Sequence, residues 1–192
     1  MCVEPGDLRV TAQLQNTCSA ASIPLDLRAD THFLCSQSEF SHWAGDSKSL
    51  RMEFFYRNLR RKYDVLMAGD EPEGGQWNYD AENRKAFGKA GPQLVPTPPT
   101  FAPDANTRTV ISLVEKVFAK HPGDTSRFNW PVTPEQGIVA LDDFIAKRLS
   151  GFGNHQDAMW TGLVFGWHSL LSTSLNLKLI NPRIVIKKAE AA

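Results

Sequence analysis

The chain carries no surplus of either charge: 21 Lys and Arg are matched by 21 Asp and Glu, and the formal net charge is zero. A balanced chain exerts no global pull on nucleic acid or on an acidic membrane surface, although a local basic patch remains compatible with it. Long apolar runs are lacking too, and none approaches the ~20 residues of a membrane-spanning helix. The start, Met1-Cys2-Val3-Glu4-Pro5-Gly6-Asp7, lacks the charged-then-apolar layout of a secretory signal. Cysteine is scarce: Cys2, Cys18 and Cys35 are odd in number and form no C-x-x-C. They read as reduced thiols of a cytoplasmic protein with no membrane association, not as a disulfide frame or a metal site. The five histidines, His32, His42, His121, His155 and His168, show no i, i+4 pair and no nearby Cys, Asp or Glu set, so spacing gives no metal site. There is no internal repeat.

What is present is ordinary globular material, 42% hydrophobic and 22% charged, in 192 residues that could make one large domain or two small ones. Cys2 to Glu4 is a very short apolar start broken by Pro5-Gly6. Asp7 can cap a helix through Ser19, and Ile23 to Leu27 reads as a strand, which together give one β-α-β unit. Parallel strands are normally buried on both faces, and two alone do not make a stable sheet, so the pattern suggests that the rest of a sheet lies upstream.

Helical periodicity resumes at Ser36–Ala44 and Ser49–Leu66, where Met52, Phe55, Tyr56, Leu59, Tyr63 and Leu66 share a face. Gly69–Gly75 reads as a turn-rich loop, and 86–106, with five prolines, as a semi-stiff extended linker. Beyond it everything reads helical. Asp104 or Thr107 can cap a helix through Lys120, with Val110, Val114, Val117 and Phe118 turned inward. Thr133-Pro134-Glu135-Gln136 opens another as a capping box with Pro at the first helical position. Ile138, Leu141, Phe144, Ile145 and Leu149 follow on one face of that helix, and Gly151 and Gly153 are expected to stop it. Shorter helices are expected at 169–179 and 182–191.

Three groups of residues could carry chemistry. Ser169-Leu170-Leu171-Ser172 precedes a helical stretch, where N–H groups, two hydroxyls and the helix dipole would suit a phosphate; the plain alternative is two capping serines. Arg57, Arg60, Arg61 and Lys62 make a basic stripe that reads first as a solvated helix face, and secondly as a contact to a DNA backbone. Trp130, Trp160 and Trp167 read as core packing, with an electron-transfer chain as the sharper alternative.

Two signatures point to a family. The first is Ser49-Leu-Arg-Met-Glu-Phe-Phe-Tyr-Arg-Asn-Leu-Arg-Arg-Lys62, followed by Gly74-Gly75-Gln76-Trp77-Asn78-Tyr79-Asp80-Ala81-Glu82-Asn83-Arg84-Lys85. The second is His168-Ser169-Leu170-Leu171-Ser172 with Leu175-Asn176 and Asn181-Pro182-Arg183. Together they resemble the photolyase/cryptochrome flavoproteins, and within them the bacterial branch that carries an iron–sulfur cluster and repairs (6-4) photoproducts or acts as a cryptochrome. The resemblance implies FAD as cofactor and damaged DNA as partner. It carries the cofactor-binding role onto His168, Ser169, Leu170, Leu171 and Ser172, which stand where that family holds the FAD pyrophosphate. Phe152-Gly153-Asn154-His155-Gln156-Asp157 stands where the family has Tyr-x-x-x-Arg/Gln-Asp, so Phe152 replaces a tyrosine whose hydroxyl would reach the phosphates. Thr173 stands for a Pro and Lys178 for a Gly of the family pattern. The family's own electron-transfer chain lies beyond the matching segment.

The implied fold is an α/β piece followed by mostly α. Residues 1–30 are the C-terminal part of a Rossmann-like antenna domain, 31–106 an interdomain connection, and 107–192 the N-terminal part of a helical FAD-binding domain. The parent activity is a carbon–carbon lyase reaction driven by blue light. The cluster cysteines and flavin-ring pocket are expected outside this segment, so the segment by itself is expected to be inactive. Three readings stand: part of a photolyase, part of a blue-light signalling cryptochrome, or a truncated product with no activity of its own unless the missing segments are supplied as separate chains.

Overall fold

A computed structural model describes residues 1–83 and 85–192; Arg84, within the 74–85 signature, lies outside the described residues. The chain has an α/β start and is mostly helical thereafter, in two compact units, Met1–Asp64 and Val65–Ala192. The division falls inside the stretch expected to connect two domains.

In the first unit, β1 (Cys2–Val3) pairs in parallel with β2 (Leu27–Arg28), Cys2 opposite Leu27 and Val3 opposite Arg28. The second strand therefore begins where the expected one, Ile23–Leu27, was to end. Between them runs α1 (Leu8–Ala20), whose N-terminus is closed by the Asp7 carboxylate accepting the Arg9 N–H at 2.8 Å. Helix α2 (Gln37–Ala44) starts with a reciprocal capping box. Ser36 Oγ accepts from Glu39 N at 3.1 Å, and the Glu39 carboxylate accepts from Ser36 N at 2.9 Å. Helix α3 (Met52–Tyr63) packs Phe55 against Phe40 and Trp43 of α2, with centroids 5.1 and 4.9 Å apart, and Asp64 ends it in the left-handed conformation.

The second unit opens with a hairpin of β3 (Met67–Ala68) and β4 (Glu71–Pro72), then a 3-10 turn at Glu73–Gly75, so the expected loop is partly ordered backbone pairing. Residues 86–104 form neither helix nor strand, in keeping with their five prolines, and turn once where Gly91 N donates to Gly88 O at 2.8 Å. Asp104 caps α4 (Ala105–Val117) by accepting the Thr107 N–H at 2.7 Å. Its residues Val110 and Val117, and Phe118 beyond its end, are exposed, not turned inward.

Helix α5 (Pro134–Lys147) opens as the Thr-Pro-Glu-Gln pattern predicts. Thr133 Oγ accepts from Gln136 N, and the Gln136 side chain reaches one residue further back, accepting from Val132 N at 2.8 Å. Gly151 and Gly153 do not stop a helix; they lie within α6 (Leu149–His155). Two short helices follow, α7 (Ser172–Asn176) and α8 (Pro182–Glu190), the latter capped by Asn181. The core gathers where these helices meet: Leu141 and Phe144 of α5, Leu171, and Ile180 are buried, with Ile138, Phe152, Leu175 and Val185 packed around them. Lys188 of α8 is tied to Asp142 of α5 at 2.6 Å.

Candidate functional site

The segment 168–172 is held by Leu171, the one of its two leucines that is buried. Leu171 is buried in the helical core, and a backbone turn through Leu170, at φ +59°, leads into it. That left-handed turn costs a branched residue roughly 1–2 kcal/mol, so burial of Leu171 must over-determine it. The outcome separates the two serines. Ser172, the first residue of α7, is exposed, as is His168. Ser169 is half-buried; its Oγ accepts from Leu171 N at 3.5 Å, and it lines a cavity together with Leu170. No side chain caps α7. The capping-serine alternative thus fails for Ser172, whose hydroxyl faces outward from an uncapped first turn.

Phe152 lies elsewhere in the same unit. Its ring packs edge-on against Phe144 at 5.6 Å, within the core, and it does not line the cavity. Lys178 adopts φ +60° and is exposed, so the position where the family pattern has Gly keeps a backbone that Gly would favour.

The cavity has a volume of about 230 Å³ and is walled by Pro98, Pro99, Phe101, Trp130, Phe165 and Leu170. Its polar members include Ser169 and Arg148. Arg148 is 1% exposed. Its Nη1 donates to Asp143 Oδ2 at 2.8 Å, while its Nε has no partner. Burial pushes the Asp143 carboxyl up, but hydrogen bonds from Lys147 and Arg148 outweigh this and hold it below the ordinary range. Sequence reading passed over Arg148, because Lys147-Arg148 at a helix C-terminus reads as charges complementing the dipole.

The basic stripe belongs to the first unit and is not uniformly solvated. Arg57 is half-buried, paired with Glu53 at 2.5 Å and set over Phe54 at 5.7 Å. Arg60 is buried and lies over the Tyr56 ring at 5.6 Å, so it is not part of a solvated face. Arg61 is exposed. Lys62 pairs with Glu39 of α2.

Trp130 and Trp167 are half-buried and Trp160 is exposed, so none of the three lies in the buried core, and each makes only local contacts. Trp130 meets Phe165 edge-to-face at 6.0 Å, Trp160 covers Gly91, and Trp167 covers Gly151 and stacks on His155 at 6.3 Å. Among the described residues no three His, Cys, Asp or Glu side chains converge in a way that could hold a metal ion. Three cysteines are fewer than the four thiolates that hold an iron–sulfur cluster, so these residues do not fit that group. No helix of the described residues is long and apolar enough to cross a membrane.

Comparison with known proteins adds three findings. A family model described as "Deoxyribodipyrimidine photo-lyase-related protein" matches residues 1–130. Across 194 aligned positions the chain is 44% identical to a (6-4) photolyase of Agrobacterium fabrum (strain C58 / ATCC 33970), an alignment that takes in 100% of this chain and 38% of that protein. It is also 30% identical over 59 residues to Uncharacterized protein R852 of Acanthamoeba polyphaga mimivirus, covering 29% of this chain and 30% of that one. The chain thus spans well under half the length of the photolyase it matches.

Proposed function

The chain belongs to the deoxyribodipyrimidine photo-lyase-related family, and on that premise we propose that it is part of a light-driven DNA-repair flavoprotein in which residues 168–172 hold the phosphates of FAD. The carrying observation is the 44% identity to a (6-4) photolyase over 100% of this chain. Residues 168–172 would hold the phosphates of FAD, which when bound would supply the light-excited electron that repair of a pyrimidine photoproduct needs.

The residues fit one end of that cofactor. An exposed Ser172 hydroxyl, the Ser169 hydroxyl three residues earlier and a first helical turn with no side-chain cap are donors of the kind a phosphate accepts. Buried Leu171 fixes the backbone that presents them. The flavin ring does not fit: the cavity of about 230 Å³ falls below the ~300–1,000 Å³ of sites that enclose a drug-sized ligand. This chain's role is to bind and orient; the ring pocket and the lesion-facing groups come from sequence beyond it. Damaged DNA is the proposed partner, with Arg57 and Arg61 as phosphate contacts, while Arg60, buried over the Tyr56 ring, is not offered to it.

The test is replacement of the matching 38% of the Agrobacterium fabrum photolyase by this chain. Flavin retention and light-dependent repair of a (6-4) photoproduct by the chimera are the expected results. A colourless chimera that folds would overturn the assignment.

A further inference from the structure

The cavity beside the end of α5 has features that the phosphate reading leaves unused. Its base holds Arg148, 99% buried by its 1% exposure, with an Nε that no protein atom accepts from. A buried charged donor without an acceptor is costly, and such groups in native structures call for a missing partner. The charges around it add to this. Asp143 is shared between Arg148 and Lys147, two cations against one carboxylate, which leaves one positive charge over. The negative end of the α5 dipole offsets part of that charge but supplies no acceptor to Nε.

The remaining wall selects shape. Trp130 and Phe165 stand edge-to-face with centroids 6.0 Å apart, and Pro131 and Ala140 close the sides. Such a wall favours a flat apolar body. At about 230 Å³ the space exceeds a water, whose share of the liquid is ~30 Å³, yet is too small for a dinucleotide. Ser169 adds a hydroxyl to the same lining.

We propose that this cavity binds a small aromatic carboxylate, one ring wide, with the ring against Trp130 and Phe165 and the carboxylate on Arg148. The cavity adjoins the FAD phosphate segment at Ser169 and Leu170, but its anion contact, Arg148, lies outside that segment, so the proposal does not depend on the FAD reading. A planar carboxylate matches a guanidinium edge in geometry as well as charge, which a phosphate ester bulky enough to carry a flavin would not do here.

Calorimetric titration of the full 192-residue chain with benzoate, with benzamide as its neutral counterpart, tests this. Saturable one-site binding of benzoate in the range usual for so small a ligand is expected, with benzamide weaker by at least about tenfold. Arg148→Lys, which keeps the charge and loses the planar fork, should weaken benzoate by about tenfold. Ala140→Leu, which fills the cavity and leaves every polar group in place, should abolish binding while the chain stays folded. Excess FAD should leave benzoate bound. Equal binding of benzoate and benzamide, no saturable binding of either, undiminished binding in Ala140→Leu, or displacement of benzoate by FAD would each overturn the proposal; the last would make the cavity a subsite of the cofactor, and leaves the FAD reading itself standing.

Discussion

Gly151 lies directly under the indole of Trp167: a Cβ at residue 151 would sit 2.4 Å from Cε3 and 2.5 Å from Cζ3 of that ring. Glycine here serves close approach and not helix termination, since α6 runs through it. Gly151→Ala would gain ~1 kcal/mol of helix propensity but force the ring off its seat, and overpacking typically costs ~1–3 kcal/mol. The expected outcome is a net loss of stability in thermal melts, with altered Trp167 fluorescence. A higher melting temperature with an unchanged spectrum would refute this packing.

Leu141 is fully buried at the centre of the helical core. Truncation to Ala should cost about 2–5 kcal/mol, read by denaturant titration of the intact chain. A cost under ~1 kcal/mol, the level of surface changes, would mean that α5, α7 and α8 do not share the core described.

Lys178 occupies a left-handed backbone at φ +60°. Relief of that strain, ~1–2 kcal/mol, against the added chain entropy of glycine, ~0.5–1 kcal/mol, predicts a small rise in stability for Lys178→Gly. Because Lys178 is exposed, flavin retention in the chimera should not change. A fall in melting temperature would show that the turn does not need glycine-like freedom.

Glu39 accepts hydrogen bonds from Lys62 and from the backbone N–H of Ser36, which hold its carboxyl at about 2 against an ordinary 4.5. A group lowered on folding contributes stability above its ordinary value and loses it as pH falls through the folded one. The packing of α2 on α3 should therefore weaken between pH 4.5 and about 2. The pair is roughly half exposed, so solvent screens it, and 1 M salt should shrink the effect. Glu39→Gln should flatten the acid limb of Trp43 fluorescence; an identical limb in the variant would remove Glu39 from the account.

Much of this fold was legible from local chemistry. Asp7, Thr133 and, of the two candidates, Asp104 cap the helices that their positions announce, because an N-cap is settled by one side chain and the next turn; Ser36, read as the first residue of its helix, caps it instead. The apolar stripe of α5 likewise marks the core through Leu141 and Phe144. Tertiary contacts were not legible. Periodicity turned Val110 and Val117 inward, but periodicity says only that a face is apolar, not that anything covers it. Gly151 read as a stop because the ring above it arrives from sixteen positions later in sequence. In the site, the serines could be picked out by pattern, whereas the burial of Arg148 and its open Nε arise only once α5 packs against the 165–170 segment.

The claim that this chain holds the phosphates of FAD is tested most directly by the flavin-to-protein absorbance ratio of the photolyase chimera with Ser169 and Ser172 both changed to Ala. Hydrogen bonds to a charged group are worth ~1.5–3 kcal/mol each, so the double variant should retain FAD at least about tenfold more weakly than the unaltered chimera. Equal occupancy in the two chimeras would contradict the assignment.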